Sequence, residues 1–228
     1  MPLPPGLHDE VLMVIYLHGF ASSPHSGKAI YFAERYRAAG IEFHAPDLNL
    51  PDFSTLTVTR MLEQTRDLID RASAPVTLIG SSLGAFVAVH AAARSPQPVA
   101  CLILMAPALD FSDEGLRGPG NADVEEWRRA GALNVFHFAY GRVLPVHYEL
   151  YADARRYDAS TVVLPMPVII FQGRHDTAVD PASVERWANG RANVELHLLD
   201  DDHQLTASRA AIWTAITASG CGRPRPRG

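Results

Sequence analysis

Six short stretches with strand-like patterns, separated by stretches with helical periodicity, constrain this chain more than any other feature. They are residues 11–17, 41–45, 76–79, 100–105, 168–171 and 194–199. Between the first two, Ala29, Phe32, Ala33 and Tyr36 recur at helical spacing, and Gly40 stands where a helix would end; Val58, Met61, Leu62, Thr65, Leu68 and Ile69 repeat the pattern before the third. Strands alternating with helices imply a parallel sheet, because parallel neighbours need a long crossover between them. A chain of 228 residues is long enough for one α/β core and short for two. The expectation is therefore one α/β domain over residues 1–220, with about six mostly parallel strands and helices on both faces.

The strand patterns also fix an order. Four are almost continuously apolar, as strands covered on both faces are, whereas Ile41-Glu42-Phe43-His44 and Val194-Glu195-Leu196-His197 alternate and read as edges. With the second and sixth strands at the edges, the chain runs outward from strand one to strand two and then crosses back to place strand three on the other side of strand one. Ligands of open α/β sheets bind beyond the carboxyl ends of the strands at such a reversal. Here that means the loops that begin His18-Gly19-Phe20 and Ser81-Ser82-Leu83.

The second of these loops carries chemistry. Gly80-Ser81-Ser82-Leu83-Gly84, set between an apolar run and the helical Ala85-Phe86-Val87-Ala88-Val89, is a G-x-S-x-G signature in a strand, turn and helix context. The flanking glycines leave room for a strained turn that lifts the Ser82 hydroxyl clear of the sheet. A serine hydroxyl is a poor nucleophile at neutral pH, so Ser82 needs an imidazole within reach and a carboxylate to orient that imidazole. Gly173-Arg174-His175-Asp176 follows the fifth strand, and Asp200-Asp201-Asp202-His203-Gln204 follows the sixth, ahead of a last helix expected over 205–218. The candidates are His203 as base and Asp176 as its orienting acid. Asp180 looks like a helix N-cap before Pro181, and Asp200, Asp201 and Asp202 lie too near His203 in sequence for the usual orienting acid. His175 is expected to be structural. In the first loop, Gly19 lets the backbone approach an acyl carbonyl, and the N–H groups of Phe20 (or else Ala21) and Leu83 are the expected oxyanion donors. His18 is expected to brace that loop.

Residues 107–164 interrupt the alternation. This stretch holds a charged helix expected at 121–130 and then two short runs around Tyr140-Gly141-Arg142 that read as a hairpin, with Pro145 confining its strand to an edge. Its place after the fourth strand makes it a lid candidate, with Trp127, Phe136 and Phe138 as expected substrate-binding walls and Tyr148 and Tyr151 as further possibilities. Cys101, inside an apolar run, is expected to fill the core, and Cys221 to belong to a disordered tail over 221–228; no disulfide framework is expected. A net charge of −5 with interspersed signs argues against nucleic acid, and no stretch suits membrane insertion. No leader is recognisable, so the cytoplasm is the default. No G-x-x-x-x-G-K-[ST] or G-x-G-x-x-G motif is present to hold a nucleotide cofactor, and the ten histidines lack metal-ligand spacing, so no cofactor and no metal are expected.

The elbow, Asp176, His203 and the HGF loop together resemble the α/β-hydrolase superfamily over nearly the whole chain. The opening Tyr16-Leu17-His18-Gly19-Phe20-Ala21-Ser22-Ser23-Pro24, with Ser26-Gly27-Lys28-Ala29 after it, is similar to small bacterial esterases and acyl-CoA thioesterases. The resemblance implies a serine hydrolase that takes a small-molecule acyl ester or thioester of small to medium acyl length, forms an acyl-enzyme on Ser82 and needs no cofactor. The insertion and the Gly173–Asp176 segment also look like lipase-type or aminopeptidase-like hydrolases. A serine peptidase of the prolyl-oligopeptidase or aminopeptidase type is the alternative, with Glu125 and Glu126 as possible partners for a free amine. A non-catalytic binding protein on this fold would be expected to have lost a triad member.

Overall fold

The computed structural model describes residues 13–95, 97–112 and 123–221. Its centre is a sheet of six strands: β1 (Met13–Leu17), β2 (Glu42–His44), β3 (Val76–Ser81), β4 (Val99–Met105), β7 (Val168–Gly173) and β8 (Val194–Leu199). The order is β2-β1-β3-β4-β7-β8, and every pairing is parallel. The two strands with alternating patterns are the edges, and the reversal lies between β1 and β3. Buried on both faces, β1, β3, β4 and β7 send alternate side chains into two separate cores. Ile15, Leu17, Leu102, Leu104, Val168 and Ile170 join one; Val14, Tyr16, Ile103, Met105, Ile169 and Phe171 join the other.

The first core is covered by α2 (Val58–Ile69), α3 (Leu83–Arg94) and α6 (Pro181–Ala188), and the second by α1 (Gly27–Ala38) and α7 (Arg209–Ser219). Local chemistry sets where these helices begin. The hydroxyls of Ser26 and Thr57 accept from the N–H groups of Ala29 and Arg60, and the Asp180 carboxylate accepts from Ala182 N–H ahead of Pro181 at the first turn. The last helix starts four residues later than its sequence suggests. Leu205 is fully buried with φ of 52°, a left-handed conformation that no α-helix contains, and the carboxylates of Asp201 and Asp202 accept from Ser208 and Gln204 N–H in the turn before it. His203 therefore sits in a loop that its own acidic neighbours shape.

The insertion forms α4 (Val124–Ala130), an antiparallel pair of β5 (Ala132–His137) and β6 (Arg142–His147), and α5 (Glu149–Ala154). Residues 121 and 122 of the expected charged helix lie outside the described residues. Asp153 of α5 accepts from the backbone N–H of Thr59 at 2.6 Å and from its hydroxyl at 2.7 Å, which ties the base of the insertion to the start of α2. At its other end, Phe138 N–H donates to the Ala21 carbonyl at 3.0 Å. The hairpin thus reaches the HGF loop.

One expectation is overturned. Cys101 and Cys221 form a disulfide across 120 residues, with their Cα atoms 5.7 Å apart. Cys101 faces the core beneath α7, and the left-handed Gly220 that ends α7 turns the chain back so that Cys221 is buried beside it. Cys221 is therefore part of the packed domain, and residues 222–228 of the expected tail lie outside the described residues. Among the described residues, no helix is long and apolar enough to cross a membrane.

Candidate active site

The carboxyl end of the sheet gathers the expected site residues. Ser82 has φ of 53° and ψ of −120°, a strained conformation for a residue with a side chain. Its backbone is fixed on both sides: Ser82 N–H donates to the Met105 carbonyl at 2.9 Å, and its own carbonyl accepts from Ala85 and Ala108 N–H. Although Ser82 occupies the N-cap of α3, its hydroxyl makes no capping bond. That hydroxyl is not committed to the helix. The turn is possible only because Gly84 has no side chain, since a Cβ there would collide with the carbonyl oxygens of Leu17 and His18. The end of β1 is thereby pressed against the elbow. A Cβ on Gly19 would lie 3.1 Å from the Cβ of Ser82, so the HGF loop passes directly over the serine.

His18 orients that loop. Its Nε2 accepts from Leu48 N–H at 3.0 Å, which leaves the proton on Nδ1, and Nδ1–H donates to the Gly19 carbonyl at 2.9 Å. A peptide unit is planar, with its C=O and N–H pointing in opposite directions. Fixing the Gly19 carbonyl therefore fixes the direction of Phe20 N–H. Beside it, the Asn49 amide donates to both the Ser22 carbonyl and the Asp47 carboxylate, which ties the segment after the HGF loop to the Leu48 turn.

Asp176 and His203 meet across the ends of β7 and β8. His203 Nδ1 lies 2.8 Å from Asp176 Oδ2, which also accepts from Gln172 Nε2 at 2.9 Å, while Oδ1 accepts from the N–H groups of Ala178 and Val179 at 2.9 Å each. Burial pushes the Asp176 carboxyl up, but the bond to His203 and the donors on Val179 and Gln172 outweigh it, and the carboxyl titrates below its ordinary range. With four bonds all donated to it, Asp176 is an ionised acceptor. His203 then carries its proton on Nδ1, and Nε2 keeps a lone pair. A Cβ on Gly173 would lie 2.5 and 2.6 Å from the carbonyl oxygens of Asp201 and Asp202, so the acid and base loops are in backbone contact.

The expected walls separate into two groups. Trp127 is only 1 % exposed, and its indole N–H donates to the Val146 carbonyl at 3.0 Å. Packed with Tyr148 and Tyr151, it glues α4 to the hairpin and offers no face to a ligand, which corrects its expected role. Phe136 and Phe138 are 49 % and 76 % exposed and meet edge to face at 5.4 Å. His175 pairs with Asp200 at the surface. Gln172 escaped the sequence reading, though a lone amide inside the apolar run of β7 was a signal for it. Among the described residues, no group of three or more His, Cys, Asp or Glu side chains is placed to hold a metal ion.

Known structures share this architecture. A protein from Agrobacterium vitis S4 with a provisional hydrolase description is 25% identical, covers 92% of this chain and 88% of its own, and superposes with a TM-score of 0.79. Est1E from Butyrivibrio proteoclasticus with ferulic acid bound gives 0.80 at 19% identity, with 95% and 92% covered. The α/β hydrolase domain-containing protein 10 from mouse gives 0.75 at 22% identity, with 91% and 88% covered. Comparison with curated proteins gives no match. The model of the uncharacterised protein family UPF0227 matches residues 13–218, nearly the whole described domain, so the chain belongs to that family and carries the α/β-hydrolase fold.

Proposed function

We propose that the protein is a serine hydrolase that cleaves carboxylic esters or thioesters of small to medium acyl groups through an acyl-enzyme on Ser82. The observation that carries this reading is the ionised Asp176 bonded to Nδ1 of His203, at the same end of the sheet as a strained serine whose hydroxyl caps nothing. In the first step Ser82 Oγ adds to the acyl carbonyl and its proton passes to Nε2 of His203. Asp176 stabilises the imidazolium so formed and stays ionised. Phe20 N–H, directed by the His18 bond, and Leu83 N–H at the first turn of α3 hold the oxyanion, a contribution of about 2.7–4 kcal/mol per donor. The imidazolium then protonates the departing alkoxide or thiolate, and water repeats the sequence to release the acid and restore Ser82.

Est1E, on the same fold, holds ferulic acid, and a carboxylic acid is the product class proposed here. Phe136 and Phe138, exposed on the hairpin whose end bonds to the HGF loop, are the proposed apolar contacts for the substrate. The peptidase reading draws no support from Glu125, whose carboxylate is engaged by Arg128 at 2.6 Å on an exposed helix face. The cytoplasm is the compartment expected from the sequence, and the Cys101–Cys221 bond weighs toward an oxidising one. Mass spectrometry of protein alkylated at the moment of lysis decides between them.

A fluorophosphonate probe, followed by peptide mapping, tests the nucleophile. Labelling at Ser82 in the wild type and none in Ser82→Ala supports the proposal; an unlabelled wild type refutes it. Rates over p-nitrophenyl esters from acetate to palmitate, beside acyl-CoA and aminoacyl amides, then define the substrate. Amides outrunning every ester and thioester would restore the peptidase.

A further inference from the structure

Nineteen of the chain's 20 lysine and arginine residues are arginine, and the single lysine is Lys28. It is also buried, with 7 % of its surface exposed. Buried lysines are rare because the ammonium loses its hydration, and Lys28 adds a second penalty by standing in the first turn of α1, where the helix dipole opposes a cation. Burial, with the Arg209 guanidinium beside it, lowers its pKa to about 8, while Asp176, Asp201 and Asp202 act in the opposite direction. Packing alone would be served better by methionine. Nζ donates to the backbone carbonyl of His203 at 3.3 Å.

We propose that Lys28 is a positioning residue for the catalytic base, holding the His203 loop against the segment that follows the HGF loop so that Nε2 stays aimed at Ser82. This rests on the serine hydrolase reading above. The loop needs such an anchor, because its left-handed Leu205 keeps His203 outside the hydrogen-bond ladder of α7. Asp176 fixes the ring through Nδ1, and Lys28 fixes the backbone that carries the ring. The two bonds constrain His203 from different sides. Lys28 is in turn placed by Ser26, whose N–H bonds to the Ser23 carbonyl and whose hydroxyl caps α1, so the oxyanion segment and the base loop share one anchor. Arginine does not fit this task as well. Its planar fork is larger than an ammonium, and the neighbouring Arg209 already lies against Gly27.

The test compares Lys28→Met, Lys28→Gln and Lys28→Arg with the wild type, counting active sites by fluorophosphonate titration so that kcat is per competent serine. The expected result for the methionine variant is a kcat for p-nitrophenyl acetate lowered about 10- to 100-fold, as for a base displaced by a fraction of an ångström to an ångström, with KM within about twofold. Loss of the cation should also move the acid limb of kcat/KM to higher pH, since a positive charge held against the His203 backbone no longer opposes protonation of the ring. The arginine variant should keep the limb in place and recover part of kcat. If the methionine variant does not fold, the glutamine variant, which retains a donor, takes its place with a smaller loss of kcat and the same shift of the limb. Wild-type kcat and an unmoved limb in the methionine or glutamine variant would overturn the proposal. Equal losses in all three variants that follow thermal stability would overturn it too, since that is the behaviour of a merely structural residue. A wild type that the probe does not label at Ser82 removes the serine hydrolase reading and this inference with it, whereas a labelled wild type with indifferent variants removes the inference alone.

Discussion

The rim of the central sheet and the hairpin inserted after β4 meet at the HGF loop but are built in opposite ways. At the rim, the backbone of Ser82 is locked to β4, Gly84 lies under the Leu17 carbonyl, and both Asp176 oxygens are saturated. The hairpin is anchored at its base through Trp127 and Asp153, while Phe136, Phe138 and Val143 remain exposed. Dense packing leaves the rim one arrangement, whereas the outer rings of the hairpin have no such packing around them. Under the proposed function, chemistry belongs to the rim and selectivity to the hairpin. Substitutions in the two regions should then differ in kind: rim changes alter kcat for every substrate, and hairpin changes alter KM for some.

The largest expected effect is that of Asp176→Asn. The amide cannot hold His203 in the Nδ1–H tautomer, and kcat should fall about 10⁴-fold across all esters in steady-state assays. The same variant carries a stability signature. Because the Asp176 carboxyl titrates below its ordinary value of 3.8, its stabilising contribution is complete above that value and is lost as falling pH protonates it in the folded protein. Acid unfolding followed by circular dichroism should therefore show less dependence on pH in this range for the variant than for the wild type.

Gly173→Ala probes the rim without touching a proposed catalytic group. The new methyl would meet the carbonyl oxygens of Asp201 and Asp202 at 2.5 and 2.6 Å, and the acid and base loops have to part. A displacement near 1 Å costs roughly 10²-fold in kcat. If kcat survives, the rim is more compliant than its packing implies, and the contrast with the hairpin fails.

Cys221→Ser separates stability from chemistry. The bond closes a loop of 120 residues and pins the end of α7, far along the chain from His203. Removing it should cost about 2–4 kcal/mol in denaturant titrations and leave kcat of the folded protein unchanged. A fall in kcat would show that the end of α7 reaches the site through its helix.

Much of the rim could be read from the chain because its signals are local. The edge strands declared themselves by alternation, Ser82 by its glycine frame, and Asp176 and His203 by their place after consecutive strands. What escaped depends on where distant segments land. Cys101 and Cys221 pair only because α7 returns over β4, and Trp127 is buried only because its indole finds the Val146 carbonyl on a neighbouring strand. Leu205 reads as helical by composition, yet the carboxylates of Asp201 and Asp202 take up nearby N–H groups and hold the chain in a loop. Lys28 stood out by its rarity, and its reason for being lysine came only with the His203 carbonyl beside it.

The smallest effect belongs to the hairpin. Phe136→Ser and Phe138→Ser each remove an exposed ring, so stability should stay within about 0.5 kcal/mol. The Phe138 backbone bond to Ala21 needs no side chain and should persist, which protects the HGF loop and hence kcat. If these rings bind the acyl group, KM should rise for the longer p-nitrophenyl esters, by about tenfold in the double variant, and stay unchanged for the acetate, which is too short to reach them. An equal rise for acetate and decanoate would place the rings against the leaving group, common to every substrate in the series. A loss of kcat with KM unchanged would mean that the hairpin acts on the HGF loop through Phe138, and selectivity would then have to come from the rim itself.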